Sequence, residues 1–240
     1  MLSVLRRARQ SLPLGLRADA SELLDEGRLS MPEVERNLAD LARLNHLPGG
    51  VAASVEGVRR LLGGRSNVRI LDAGTGRGDI PIAFARHGWA TTALDRNRDV
   101  LIIARDATAA QPLIDVVEGD ARSLPFEDGA FDVSHCSLLV HHLAPGEVVT
   151  VLRELQRVAT HGVVINDLRR GILPLVATAA SVVALGGSRV TRTDGLASAR
   201  RAYTLDELDD LIGQAGLAVD WRSPGWLPRV VTTATPAALP

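Results

Sequence analysis

The chain has 240 residues, with 27 basic against 28 acidic side chains and a formal net charge of -1. Hydrophobic residues make up 46% and aromatic ones 3%, which excludes dominant disorder, while the balanced charge gives no electrostatic footprint for nucleic acid. One Cys excludes a disulfide framework and a Cys-based zinc cluster and fits a reducing, cytoplasmic setting, and the absence of Lys excludes Schiff-base chemistry and a Gly-Lys phosphate loop.

The opening residues, MLSVLRRARQ, place charges early and no apolar run follows, so no secretory signal is read there. Residues 1–63 read as a separate helical cap. SELLDEGRLSMPEVERNLADLARLNHL holds two charged amphipathic patterns and VAASVEGVRRLL a third. Asn45, Gly49 and Gly50 in LNHLPGG would join this cap to the rest and fold over a ligand.

From residue 64 short apolar runs alternate with helical patterns, the mark of a parallel sheet covered by helices. VRILDA (68–73), ATTALD (90–95), LIDVVEGD (113–120), FDVSHCSLLV (131–140) and GVVINDL (162–168) read as strands. DIPIAFARHG (79–88), DVLIIARDATAA (99–110) and PGEVVTVLRELQRVAT (145–160) read as the helices between them, the last with Pro145 in its first turn. The alternation breaks at 169–202, an insertion with an uncharged stretch at 171–187 and the Arg-rich tract SRVTRTDGLASARR. The uncharged stretch is shorter than the ~20 apolar residues of a spanning helix, so a buried or lid-forming helix is expected and no stable membrane insertion. Thr204 and Glu207 form a capping-box signal for one more helix. AVDWRS (218–223) and RVVTTAT (229–235) read as a closing antiparallel pair across a loop with Pro224 and Pro228.

The segment Ile70-Leu-Asp-Ala-Gly-Thr-Gly-Arg-Gly-Asp79 carries the most chemistry. Three glycines leave a strand and enter a helix, where the chain turns tightly and a ligand can approach the backbone. Dinucleotide sites, methyltransferases and purely structural turns share such a turn. The dehydrogenase spacing needs a third Gly where Asp79 stands. Asp72 at the strand end would repel a pyrophosphate and favour a cationic aminoacyl ligand. Asp95 follows Gly74 by about twenty residues, the spacing of an acid that accepts from ribose hydroxyls. Asp120 ends the third strand, where an Asp can accept from an adenine amino group.

Asp72, Gly74, Gly76, Gly78, Asp95 and Asp120 together resemble the class I S-adenosylmethionine-dependent methyltransferases. The phrase LPFEDGAFDVSHCSLLVHHL is similar to the ubiquinone/menaquinone-biosynthesis (methyltransferase type 11) small-molecule branch. The resemblance covers about residues 65–168, and 203–235 by pattern. It implies a Rossmann-like, doubly wound α/β fold with a mostly parallel seven-stranded sheet, S-adenosyl-L-methionine as cofactor and a small-molecule acceptor. It implies that Gly74, Thr75 and Gly76 pass under the methionine part with Asp72 near its amino group. Asp95 would hold the ribose, Arg96 would cover the adenine, Asp120 and the Ala121 backbone would read its edge, and Ser137 would line the sulfonium pocket.

Transfer of an activated methyl is mainly a matter of positioning. A hydroxyl acceptor also needs a base, and His141 is the catalytic candidate, with His142 and His135 read as structural. Asn166-Asp167 reads either as a strand-end turn or as a device orienting the acceptor. The stretch from Leu173 to Leu185 offers an apolar wall, and Arg200, Arg201 and Tyr203 follow it. The expected reaction is methyl transfer to oxygen, less readily to carbon, of a small hydrophobic or phenolic metabolite. A nicotinamide oxidoreductase and a non-catalytic cofactor-binding or assembly protein stay open as alternatives, as does a homodimer.

Overall fold

The computed structural model describes residue 17 and residues 29–46, 50–185, 187–224 and 229–237, apart from the side chains at 185 and 189. Gly49, Pro228 and most of the first predicted cap helix lie outside the described residues. Within them, the helices are α1 (Met31–Asn45), α2 (Val51–Leu62), α3 (Asp79–Ala85), α4 (Arg98–Thr108), α5 (Pro145–Arg157), α6 (Ile172–Leu185), α7 (Arg189–Arg201) and α8 (Leu205–Gln214). The strands are β1 (Arg69–Ala73), β2 (Ala90–Asp95), β3 (Ile114–Glu118), β4 (Phe131–Ser137), β5 (Ala159–Leu168), β6 (Leu217–Arg222) and β7 (Arg229–Pro236).

The strands form one sheet in the order β3-β2-β1-β4-β5-β7-β6. The first five are parallel, and β7 runs antiparallel between β5 and β6. This is the doubly wound α/β fold expected from the sequence. Successive residues of a strand face opposite sides, and the core divides accordingly. Leu71, Val163 and Ile165 join Leu152, Leu155 and Ile212 on one face. Ile70, Val133 and Val164 join Val58, Leu62 and Phe84 on the other.

Three segments behave differently from their sequence reading. VAASVEGVRRLL, grouped with the N-terminal cap, lies on the sheet. Its Val51, Val55, Val58 and Leu62 recur at helical spacing, and Gly57 lets α2 press so close that a Cβ there would stand 2.9 Å from Val164 Cγ1. Of the two alternatives for the uncharged stretch, a buried or a lid-forming helix, the first does not hold, because α6 is exposed along one face. Ile172, Leu173, Val176 and Val183 are exposed, Leu173 by 77%, and the opposite face points inward. The Arg-rich tract forms a helix, α7, because the Ser188 side chain caps it by accepting from the Thr191 N–H at 3.0 Å. Among the described residues no helix is long and apolar enough to cross a membrane.

Candidate active site

Parallel strands converge their carboxyl ends on one edge, and a crevice opens where strand order reverses between β1 and β4. There the Gly74 and Thr75 N–H groups donate to Leu94 O at 2.8 and 3.1 Å, folding the glycine turn back onto β2. Gly74, Gly76 and Gly78 have φ of +74°, +55° and +88°, a region that L side chains disfavour. The turn thus presents bare backbone at the mouth of a cavity of about 1020 Å³.

Asp95 closes β2 beside this turn. Its Oδ1 accepts from the Asn97 N–H at 2.9 Å and its Oδ2 from the Gly76 N–H at 3.4 Å. Burial raises its carboxyl above the ordinary value, against these backbone hydrogen bonds. A carboxyl raised in the fold contributes stability below the unfolded range and loses it as pH rises through the folded value. At neutral pH the charge therefore costs the ligand-free fold stability. Asp95→Asn is expected to raise the ligand-free unfolding midpoint at neutral pH, with the gain vanishing near pH ~4; thermal melts across pH read this directly.

Asp72 also lines the cavity but is 1% exposed, and both oxygens have protein partners. Thr75 Oγ1 donates to Oδ2 at 2.8 Å, and His135 Nδ1 lies 2.6 Å from Oδ1. His135 Nε2 meets Ser54 Oγ at 2.8 Å, and Asn166 Nδ2 donates to that same hydroxyl at 2.8 Å. The sense consistent with these donors and acceptors runs from Asn166 Nδ2 through Ser54 and His135 to Asp72. His135 is thus structural, as expected, and in a specific way, since its ring fixes the Asp72 carboxylate. Asn166 belongs to this buried chain, which favours its structural reading.

Asp120 follows β3 at the cavity rim. Arg122 Nη2 donates to its Oδ2 at 2.6 Å and Arg122 Nη1 to Glu147 Oε1 at 2.8 Å. The Arg122 side-chain hydrogen bond holds the Asp120 carboxyl below its ordinary value. Ala121 is buried, and Arg96 is exposed and faces the same cavity. Ser137 ends β4; its Oγ is buried in the cavity wall with no protein partner among the described residues.

Leu138 then takes a φ of +53°, which ends β4 and turns His141 back over the sheet edge. His141 is 2% exposed and lines the cavity. Its Nδ1 meets Asp167 Oδ1 at 2.6 Å, and its N–H donates to Asp167 Oδ2 at 3.2 Å. Burial pushes the Asp167 carboxyl up, but the charge and hydrogen bond of His141 bring it below its ordinary value. The carboxylate accepts from Nδ1–H and makes Nε2 the basic nitrogen of the ring. The His142 ring lies against His141, tilted by 35° with 4.2 Å between ring centroids. The Tyr203 hydroxyl donates to Leu143 O, and Arg201 donates to His142 O.

The far wall comes from α1 and α6. Leu38, Leu41 and Asn45 face the cavity from α1, and Ala177, Thr178 and Val182 from α6. Leu173 points away, so the wall is the small-residue face of α6 and not its bulkiest residues. The sequence reading missed Asp167 as a partner of His141, Arg122 beside Asp120, and Asn45–Arg229 at the base of the cleft. The only signal for Asp167 was its place at a strand's carboxyl end.

Comparison with known proteins bears on this cleft. Residues 70–162 match the family described as a methyltransferase domain. They span the glycine turn, Asp95, Asp120, Ser137 and His141. Demethylmenaquinone methyltransferase of Staphylococcus aureus (strain MRSA252) is 30% identical over 108 residues, which is 44% of this chain and 44% of that protein. The chain thus spans under half the length of the curated relatives it matches. Among solved structures, a SAM-dependent methyltransferase from Aquifex aeolicus superposes with a TM-score of 0.58 at 17% identity, covering 86% of this chain and 98% of that one. The mitomycin 7-O-methyltransferase MmcR gives 0.59 at 20% identity, covering 98% and 72%. At such identities the likeness establishes the fold.

The Aquifex aeolicus neighbour is named as S-adenosylmethionine-dependent, and the cleft of this chain fits that cofactor on its own geometry. The bare glycine backbone leaves room for close approach, Asp95 supplies a carboxylate at the β2 end, and Ser137 Oγ has no protein partner among the described residues. Ligand pockets commonly hold ~300–1,000 Å³, so the cavity has room for a nucleoside cofactor and a second small molecule.

Proposed function

We propose that the protein methylates the hydroxyl oxygen of a small apolar or phenolic metabolite, with His141 as general base. The observation that carries this reading is the His141–Asp167 pair set into the wall of the cavity that the glycine turn opens. S-adenosylmethionine, when bound, supplies a methyl group activated by the sulfonium charge. This chain's residues supply the rest. Asp95 accepts from the ribose hydroxyls. Asp120 and the Ala121 N–H face the adenine edge, with Arg96 over it. Gly74, Thr75 and Gly76 pass under the methionine part, Asp72 lies near its amino group and Ser137 near the sulfonium. His141 removes the acceptor proton, and Asp167 holds its ring and stabilises the imidazolium. α1 and the insertion at 169–202 close over the acceptor, whose apolar body suits the α6 wall.

MmcR is named for transfer to oxygen, which agrees with a base at this position. The Staphylococcus aureus protein is named for a different acceptor, and its match covers 44% of this chain. Labelled methyl transfer into a cell extract, followed by mass identification of the product, tests the reading. A product methylated on carbon or nitrogen defeats it. Asp95→Ala is expected to weaken S-adenosylhomocysteine binding by about 1–3 kcal/mol, the cost of stranding buried polar partners; calorimetric titration showing unchanged affinity removes the ribose assignment.

A further inference from the structure

Arg229 opens β7, level with Leu168 of β5 in the sheet register. It is 8% exposed and lines the cavity. A guanidinium has N–H donors along two edges, yet among the described residues only Nη1 has a protein acceptor, Asn45 Oδ1. Among the described residues no carboxylate lies within ion-pair distance of it. Asp167 and Asp79 act on it by charge alone, and burial brings its value down to about 10, so it stays cationic at neutral pH. Both carboxylates already serve others: Asp167 holds His141, and Asp79 Oδ2 accepts from Asn45 Nδ2 at 2.9 Å. A buried cation without a contact counter-ion is costly, and removal of that cost by a ligand is a source of affinity.

We propose that Arg229 is a receptor for a ligand carboxylate, which it grips through the guanidinium edge that faces the cavity. The match is chemical: a planar fork of N–H donors meets two coplanar oxygens. The position is also apt, because β7 places Arg229 on the β5 side of the crevice, between the His141–Asp167 pair and the Asp79 end of the glycine turn. Two molecules of the proposed reaction could bring such a group there: the cofactor, through its methionine carboxylate, or an acidic acceptor. This inference rests on the methyltransferase reading.

Calorimetric titration separates the outcomes. Wild type, Arg229→Gln and Arg229→Lys are titrated with S-adenosylhomocysteine, with methylthioadenosine, which lacks the amino-acid part, and with benzoate at saturating S-adenosylhomocysteine. A fall of about 10–100-fold for S-adenosylhomocysteine in Arg229→Gln, with methylthioadenosine unchanged, assigns the site to the cofactor carboxylate. A similar fall for benzoate alone assigns it to the acceptor. Arg229→Lys recovers part of either loss. Unchanged affinity for both carboxylates, or an equal fall for methylthioadenosine, overturns the proposal. Ligand-free Arg229→Gln should melt no lower than wild type, since it sheds an uncompensated charge; a clearly lower midpoint makes Arg229 a structural residue and also overturns it. Failure of the wild type to bind either nucleoside strikes at the methyltransferase reading itself, and this inference falls with it.

Discussion

Replacing His141 by Ala is expected to lower kcat for methyl transfer by about 10²–10⁴-fold, the usual worth of a positioned general base. Affinity for S-adenosylhomocysteine should change little, because the ring sits over the β4–β5 side of the cleft and Asp95, the proposed ribose anchor, stands at the end of β2 on the other side. Asp167→Asn tests the pairing from its partner. It keeps the volume but presents an amide that can donate as well as accept, so the ring loses its fixed tautomer and the imidazolium loses its counter-charge. The expected result is a fall in kcat of the same order, with the double variant little worse than either single one, as holds for groups that act as a unit. Full turnover in His141→Ala would leave positioning as the sole catalytic device.

The second large effect is on stability. His135→Leu should destabilise the fold by about 2–3 kcal/mol, the cost of leaving a buried carboxylate without one of its hydrogen-bond donors. The cause is specific. His135 is 0% exposed and lies between Asp72 and Ser54. Leucine fills the space but leaves the Asp72 carboxylate with Thr75 as its remaining side-chain partner. Equilibrium urea unfolding reads this as a lower midpoint at unchanged slope. His135→Gln, which can donate to Asp72, should recover part of the loss. A cost under about 1 kcal/mol, the scale of an ordinary net hydrogen bond, would mean that Asp72 finds other partners.

These two histidines show how unevenly the site could be read beforehand. Both fall in one phrase, FDVSHCSLLVHHL. His141 stood out because it follows a strand on the ligand edge, where a base is useful. His135 looked like one more inward residue of β4, and inward it is. Its importance comes from Ser54 on α2 and Asn166 on β5, distant in sequence. Arg229 is the sharper case: nothing in RVVTTAT distinguishes its first residue from a solvated strand end.

What the amino-acid sequence determined by itself was local. Apolar alternation set the strands, glycine spacing set the turn, and acids at strand ends set the ligand edge, since each depends on neighbours a few residues apart. Tertiary structure alone decided the rest: that α2 covers the sheet, that α6 shows its larger side chains outward, and that Asp167, Asn45 and Arg229 meet one cavity. Those outcomes depend on which buried charges and faces find partners across long loops, and no periodicity records such pairings.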